Sequence, residues 1–155
     1  MSPRSGYELP LLLMGAFRAL VDDLHAELAA RGHQKARPVH GFALQAIGPA
    51  GATTSELGRR LGVSKQAAAK TVASLASAGY VARAPDPGDG RATVLTLTPR
   101  AFEMLRLSAE IFDQLRSAWA LRLGPGRLEL LEGDLAALAG EGSMTSVMGT
   151  PGWLS

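Results

Sequence analysis

Apolar residues recur at helical spacing near both ends of the chain. From about Glu8 to Ala30 they stand three or four positions apart, and from Pro38 to Ile47 a second such face follows. Two further stretches, to about Leu123 and from Leu128 to Ala139, show the same spacing. The pattern predicts four amphipathic helices with these apolar faces: Leu9, Leu13, Phe17, Leu20, Val21, Leu24 and Leu28; Val39, Phe42, Ala43, Ala46 and Ile47; Phe102, Leu105, Ala109, Phe112, Leu115 (or Arg116) and Trp119; and Leu128, Leu131, Leu135 and Leu138.

The middle of the chain predicts two shorter helices joined by a tight turn. Thr53 and Glu56 have the spacing of a capping box, in which each side chain bonds the backbone amide of the other residue. Gly62 ends the short helix, and Ser64 caps the next one, which ends near Gly79. We expect Ala68, Val72, Leu75 and Ala76 to face inward on this second helix, with Lys65, Gln66, Ala69, Lys70 and Ser74 facing outward. The spacing is typical of a helix-turn-helix.

A β-hairpin is predicted directly after these two helices. The segment 80–84 is extended in character, 85–90 is rich in Pro, Asp and Gly, and 92–98 alternates polar with β-branched or apolar residues. Thr98 and Pro99 then begin the long helix. We therefore expect a mainly α fold with a small β-hairpin wing, in a single domain (1–155). Its parts are a winged-helix lobe (36–99), dimerisation helices (8–32 and 100–140) and a C-terminal tail (141–155).

Composition fits one globular domain and narrows its chemistry. The chain has 155 residues, 46% hydrophobic and 19% charged, and no cysteine. The missing cysteines exclude disulfides, thiolate catalysis and sulfur-ligated zinc. No apolar run approaches the length of a membrane span and no signal-like N-terminus precedes the first helix, so we expect a cytoplasmic protein without membrane contact.

The charges are distributed unevenly along the chain. Residues 31–100 hold ten of the 16 Lys/Arg and three of the 14 Asp/Glu, so this stretch carries +7 while the flanks together carry −5. A basic middle between acidic ends favours a polyanionic partner bound at the centre.

Motifs of common enzymes and of metal sites are missing from the sequence. It has no Gly-x-Ser-x-Gly, Walker loop or His-Glu-x-x-His, so we predict neither catalytic residues nor a cofactor. His25, His33 and His40 do not form a pair at helical spacing, and a structural or solvent-facing role is favoured over metal binding despite nearby Asp22, Asp23 and Glu27.

Three stretches, in this order and spacing, resemble the MarR family of transcriptional regulators. They are the helix-turn-helix 54–72, the helix exit 75–81, and the wing Asp86-Pro87-Gly88-Asp89-Gly90-Arg91 followed by Leu95-Thr96-Leu97-Thr98-Pro99. The resemblance covers about residues 8–140. It implies a homodimer that binds double-stranded DNA at a palindromic operator, commonly as a repressor that a small aromatic ligand releases.

The residues expected at DNA lie on the second helix of the helix-turn-helix, at the wing and before the first short helix. Polar and small side chains suit a helix in the major groove, and arginine suits the minor groove. The expected contacts are Ser64, Lys65, Gln66, Ala69, Lys70 and Thr71 in the major groove, Asp89 and Arg91 at the wing, and Thr53 and Thr54 at a phosphate.

The expectation of a ligand site rests on the aromatic residues and one histidine. Phe17, His40, Phe42, Phe112 and Trp119 are the side chains expected around an effector cleft, although buried aromatics are more often plain core. Two alternatives stay open: a winged-helix adaptor that binds proteins, and a constitutive DNA binder without an effector.

Overall fold

Six helices and three strands make up the part of the chain that the computed structural model describes, residues 4–140. In chain order they are α1 (Glu8–Ala30), α2 (Pro38–Ile47), β1 (Ala52–Thr53), α3 (Thr54–Leu61), α4 (Lys65–Ser77), β2 (Val81–Asp86), β3 (Asp89–Leu97), α5 (Pro99–Leu123) and α6 (Arg127–Ala139). The predicted fold class is confirmed. The predicted tail, 141–155, lies outside the described residues.

Three helices begin at the capping residues that the sequence indicates. The hydroxyl oxygens of Thr53, Ser64 and Thr98 accept hydrogen bonds from the backbone amides of Glu56, Ala67 and Ala101. Each bond satisfies an amide that has no partner within its own helix. The first residues of α3, α4 and α5 are therefore fixed by local sequence.

The three strands form one antiparallel sheet with β3 at its centre. Val81 pairs with Leu97 on one side, and Ala52 pairs with Leu95 on the other. The sequence did not predict β1. A Cβ at Gly51, which has a φ of +83°, would lie 2.7 Å from the Leu95 carbonyl oxygen, so only glycine permits this approach.

One core joins the winged-helix lobe to the helices that flank it. Leu28 of α1, Leu44 of α2, Leu75 of α4 and Met104 of α5 are almost fully buried in it. The predicted face of α2 was partly wrong, because the buried positions are His40, Ala43, Leu44 and Ile47, with Val39 and Phe42 only partly covered.

The predicted face of α5 was also partly wrong, since only Leu105 and Leu115 of it pack against the core. Ala101, Met104, Leu107 and Ile111 are buried, whereas the predicted stripe beside them leaves Phe102 50% and Phe112 40% exposed. Both stripes have helical spacing, so periodicity does not decide between them.

Arg100, at the start of α5, links the end of α1 to the winged-helix lobe. Its Nη2 donates to the carbonyl of Gly32, which follows α1, at 2.8 Å, and its Nε donates to the carbonyl of Ala78, which follows α4, at 3.2 Å. The guanidinium also lies 5.6 Å from the centre of the Tyr80 ring. One side chain thus links the end of α1 to the end of α4 and the start of the wing.

Large apolar side chains remain exposed on α1, α5 and α6. Leu9, Leu11, Leu12, Leu13 and Met14 of α1 are all more than 40% exposed, and Leu121 and Leu138 are more than 80% exposed. None of the helices within residues 4–140 is long and apolar enough to cross a membrane. These exposed side chains lie outside the single core.

Candidate nucleic-acid interface and cavity

The helix α4 has one face in the core and one face in solvent. Ala68, Val72 and Leu75 are buried, and the opposite face exposes Ser64, Lys65, Gln66, Ala67, Ala69 and Lys70. The burial of one stripe fixes the rotation of the helix, so the polar and small side chains are presented together. Polar and small side chains of this kind suit a major groove.

The turn before α4 brings the two helices of the helix-turn-helix close together. Gly62 takes a left-handed conformation with a φ of +68°, and Val63 donates its amide proton to the carbonyl of Gly58 at 2.9 Å. A Cβ at Gly58 would lie 3.2 Å from the Val63 carbonyl and 3.4 Å from the Ala68 Cβ. Small residues at 58 and 68 therefore hold α3 against α4.

Two aspartates shape the tip of the wing. Asp86 Oδ1 accepts from the amide of Gly88 at 2.8 Å, and Asp89 Oδ1 accepts from the amide of Arg91 at 3.0 Å. These turns shorten the expected loop, since β2 continues to Asp86 and β3 begins at Asp89. Asp89 thus contacts the backbone of Arg91. Arg91 itself is exposed.

A further arginine of the wing was not among the predicted residues. Arg83 lies on β2, opposite Leu95 of β3, and is exposed. The sequence could have indicated Arg83, because it lies in the first predicted strand of the hairpin that carries Arg91. The hairpin therefore presents two cations.

The predicted hydroxyl contacts differ in what they still offer a phosphate. Thr53 and Ser64 accept hydrogen bonds from backbone amides, which leaves each hydroxyl proton free to donate. Thr71 donates its proton to the carbonyl of Ala67 at 3.3 Å. Thr54 is partly covered at the first turn of α3. Of the four hydroxyl groups, those of Thr53 and Ser64 are therefore the better placed to donate a hydrogen bond to a phosphate.

Ser74 was expected to face outward, and the structure corrects this. Its Oγ lies 2.8 Å from Nε2 of His40, a fully buried residue of α2. Nδ1 of His40 accepts from the Arg37 amide at 3.1 Å, so Nε2 carries the proton and donates it to Ser74. Burial, followed by the charge of Arg37 and then by His25, lowers the pKa of His40 from 6.5 to about 4. A neutral imidazole thus ties α2 to α4.

An apolar cavity of about 370 Å³ lies between α1, α2 and α5. This size is within the range of small-molecule pockets. Its walls are mainly aliphatic and aromatic, with three polar side chains among them: Phe17, Val21, Leu24, His25, Pro38, Gly41, Phe42, Gln45, Leu105, Ser108, Ala109 and Phe112.

The structure brings together three of the five residues expected at an effector cleft. Phe17, Phe42 and Phe112 line the cavity. His40 does not, because its ring is directed to Ser74 in the core, and Trp119 lies two turns further along α5 than Phe112. The sequence analysis did not predict His25 and Gln45. Each lies one helical turn after another residue of the lining, Val21 and Gly41, and this spacing was the signal that could have indicated them.

The histidines are engaged with protein groups. Nδ1 of His33 lies 2.9 Å from the Tyr80 hydroxyl, and burial, followed by Arg100, lowers the pKa of His33 against the opposing effect of Glu103. Nδ1 of His25 lies 2.7 Å from the Val21 carbonyl. Within residues 4–140 no three His, Asp or Glu side chains are grouped so as to hold a metal ion.

Comparison with known proteins gives the same fold and one matching family model. The model of the MarR family matches residues 38–92. No curated protein sequence matches the chain. The chain is similar to the transcriptional regulator Tm0710 from Thermotoga maritima, with 23% identity, 90% of this chain and 97% of that chain covered, and a TM-score of 0.63.

Two further solved structures share the fold. The reduced form of MarR from E. coli is 22% identical over 90% of this chain and 98% of that one, with a TM-score of 0.70. A mutant of MepR from S. aureus, bound to an oligodeoxyribonucleotide, is 14% identical over 87% and 96%, with a TM-score of 0.59. The MarR family model thus matches the winged-helix part of this chain, residues 38–92, and the solved structures share its fold.

Proposed function

We propose that this chain acts as a homodimer that binds a palindromic operator and represses transcription, with α4 in the major groove and the wing in the minor groove. The observation that carries the proposal is the exposed face of α4, where Lys65, Gln66, Ala69 and Lys70 stand together above a buried stripe. Glutamine and lysine bond base edges and phosphates, and an alanine methyl fits a thymine methyl. The oligodeoxyribonucleotide bound to the MepR mutant supports the same use of this fold.

The wing and the caps supply contacts that position the protein on the duplex. Arg91, at the start of the hairpin's second strand, suits the negative potential of a narrow minor groove, and Arg83 adds a cation on the same hairpin. Thr53 and Ser64 keep a hydroxyl proton for phosphate oxygens. Asp89 holds the turn that carries Arg91.

The homodimer is supported by the exposed apolar residues at the two ends of the chain. Leu9, Leu12 and Leu13 of α1 and Leu131 and Leu135 of α6 are each more than a third exposed. Exposed apolar side chains in this number mark an interaction surface, and a two-fold interface covers such a surface with a second copy of the chain. Two copies would present two α4 helices to the half-sites of a palindrome.

Ligand release is supported by the cavity. A small aromatic molecule bound among Phe17, Phe42 and Phe112 would contact α1, α2 and α5, and α2 is tied to α4 through His40 and Ser74. A ligand that fits one arrangement of these helices better than another shifts the population toward it. The spacing of the two α4 helices would change with that shift.

The test is a set of DNA-binding isotherms at several salt concentrations, on the operator and on a scrambled duplex. Genomic fragments selected by the purified protein first supply the operator. We expect Gln66→Ala to weaken operator binding far more than scrambled binding, since a good bidentate base contact discriminates by about 1–3 kcal/mol. We expect Arg91→Ala to weaken both and to reduce the log–log salt slope by roughly two units for a dimer.

Arg106→Ala is the matched control for the wing arginine. Arg106 is exposed on α5 and pairs with Glu110, far along the chain from the wing, so its loss should leave the salt slope unchanged. An unchanged salt slope for Arg91→Ala would show that the wing does not contact the DNA. A protein that shows no salt-dependent DNA binding would instead support the adaptor alternative, and DNA binding insensitive to every ligand would support the constitutive binder.

A further inference from the structure

The helices α1 and α4 end in the same local structure. A glycine in the left-handed region follows each of them, Gly32 with a φ of +93° and Gly79 with a φ of +79°. The amide of the next residue, His33 or Tyr80, then donates to a carbonyl in the last turns of its helix, at 2.8 Å and 2.9 Å. These bonds fix the direction in which the backbone leaves each helix, and each motif ends on an aromatic ring.

The two rings that follow these glycines contact each other in the core. Nδ1 of His33 lies 2.9 Å from the Tyr80 hydroxyl, and the ring planes are 15° from parallel with their centres 5.8 Å apart. Both side chains are almost fully buried. A carboxylate oxygen of Glu103 lies 3.5 Å from Nε2 of His33, which favours the proton on Nε2, so Nδ1 accepts the hydroxyl proton. One buried hydrogen bond thus joins the segment after α1 to the segment after α4.

Arg100 joins the same two segments through their backbone. Its guanidinium donates to the carbonyls of Gly32 and Ala78. The carbonyl of Tyr80 accepts from the amide of Thr98, directly before α5, at 3.1 Å. A buried polar network with its partners in place makes a structure rigid. The ends of α1 and α4 and the start of α5 are therefore held together at one place, beyond the last turn of α4.

We propose that the α1–α4 joint, formed by His33, Tyr80 and Arg100, sets the separation of the two α4 helices in the dimer and so selects the spacing between the half-sites of the operator. The inference rests on the homodimer proposed above, in which α1 belongs to the dimer contact and α4 binds a half-site. Since the end of α4 is held to the end of α1, the joint fixes the direction of α4 relative to the two-fold axis. His33 and Tyr80 are buried away from solvent, so they are positioning residues and not DNA contacts.

The test measures the binding of the full chain to three duplexes by fluorescence anisotropy. They are the selected operator, the same operator with one base pair inserted between its half-sites, and a duplex that carries one half-site. The insertion moves the half-sites about 3.4 Å apart and turns one relative to the other by about 35°. We expect the unaltered chain to prefer the operator to the lengthened duplex.

Tyr80→Phe removes the hydroxyl and leaves the ring. We expect its preference for the operator over the lengthened duplex to fall about three- to tenfold, the factor that one buried hydrogen bond supplies, while its affinity for the half-site duplex stays within about twofold. A general loss of structure would instead weaken binding to all three duplexes. Tyr7→Phe is the matched control, because Tyr7 is exposed before α1, and it should keep the full preference.

Variants of the two other residues assign the effect to the joint. His33→Ala should lose as much of the preference as Tyr80→Phe, and His33→Asn, whose side-chain oxygen can accept in place of Nδ1, should keep part of it. Arg100→Lys retains the charge but lacks the fork that reaches two carbonyls, so it should reduce the preference as well. If His33→Ala does not fold, Tyr80→Phe and Arg100→Lys still test the joint from its two other residues.

The outcomes distinguish this inference from the function on which it rests. Folded Tyr80→Phe and Arg100→Lys that keep the full preference would overturn the inference and leave the homodimer in place. A loss of equal size on all three duplexes would also overturn it, because the joint would then contribute to stability alone. Equal binding of the unaltered chain to the operator and the lengthened duplex would contradict the palindromic dimer and the joint together.

Discussion

Most leucines of the winged-helix lobe are buried, whereas many leucines of the helices at the ends of the chain are exposed. In the lobe, Leu57 and Leu75 are completely buried, whereas Leu9 of α1 is 60% exposed and Leu138 of α6 is 82% exposed. The helix starts differ in the same sense, because α3 and α4 are capped by side chains and α1 and α6 are not. The lobe therefore completes its structure within one chain, while the ends leave apolar surface that one chain does not cover.

The contrast separates two sources of stability. Burial in the lobe contributes to the folding of the single chain, at about 25 cal/mol for each Å² of apolar surface removed from water. The same side chains on α1 and α6 contribute only when something covers them. Substitutions in the two regions should therefore register in different experiments, one in unfolding and one in association.

The largest effect is expected from a leucine in the lobe. Leu75→Ala removes a fully buried side chain between α4 and the core, so the free energy of unfolding should fall by about 2–5 kcal/mol. Leu121→Ala removes a side chain that is 86% exposed and should change it by less than about 0.5 kcal/mol. Urea unfolding of both variants measures the difference, and equal losses would show that the ends are as well packed as the lobe.

The second effect concerns association. Leu12→Glu places a charge within the exposed apolar residues of α1 and should raise the dissociation constant of the proposed dimer by about 100-fold or more, as a buried unpaired charge costs several kcal/mol. Sedimentation equilibrium measures this. Circular dichroism should show native helix content, and Lys35→Glu, at an exposed position between α1 and α2, should leave the dissociation constant unchanged. Unaltered association of Leu12→Glu would place the dimer contact elsewhere.

The sequence predicted the helices well because their boundaries are local. Gly62 and the capping residues Thr53 and Ser64 set where the helices begin and end, and each acts within a few residues of itself. The two-residue strand β1 was missed, because a strand of this length has no periodicity and exists only through its pairing with Leu95. Local sequence thus determines the helix boundaries, but it does not determine the pairing of β1 with β3.

Which helix face meets the core was harder to predict. The long helix α5 carries two apolar stripes, one through Met104 and Ile111 and one through Phe102 and Phe112, and only the packing partners decide between them. His40 belongs to the core face of α2 because both ring nitrogens find partners there, in Arg37 and Ser74. The hydrogen bond between His40 and Ser74 joins residues 34 positions apart, so the spacing of apolar residues along α2 does not indicate it.

A third prediction uses that buried histidine to probe the lobe by pH. Burial lowers the pKa of His40 from 6.5 to about 4, so between these values the unfolded chain binds more protons than the folded one. The free energy of unfolding should therefore fall by roughly 2–3 kcal/mol as the pH drops from about 7 to 4, and change little above pH 7 for this group.

His40→Gln is the variant that isolates this contribution. It cannot take up the proton, so the part of the loss that comes from His40 should vanish, while His33 and Glu56, whose pKa values are also lowered, leave a loss in the same direction. Urea titrations of both proteins at several pH values measure the two curves. Parallel curves would mean that His40 is not the group that titrates.

The smallest effect is expected at the start of the helix-turn-helix. Thr53 caps α3 by accepting a 3.1 Å hydrogen bond from the Glu56 amide, and the Glu56 carboxylate accepts a 2.8 Å hydrogen bond from the Thr53 amide, which lowers the pKa of Glu56. Thr53→Ala removes the cap and should lower the free energy of unfolding by about 1 kcal/mol. Ser55→Ala, at an exposed position of the same turn, is the control and should have almost no effect. If the two alanine variants unfold alike, the capping box does not distinguish the lobe from the uncapped terminal helices.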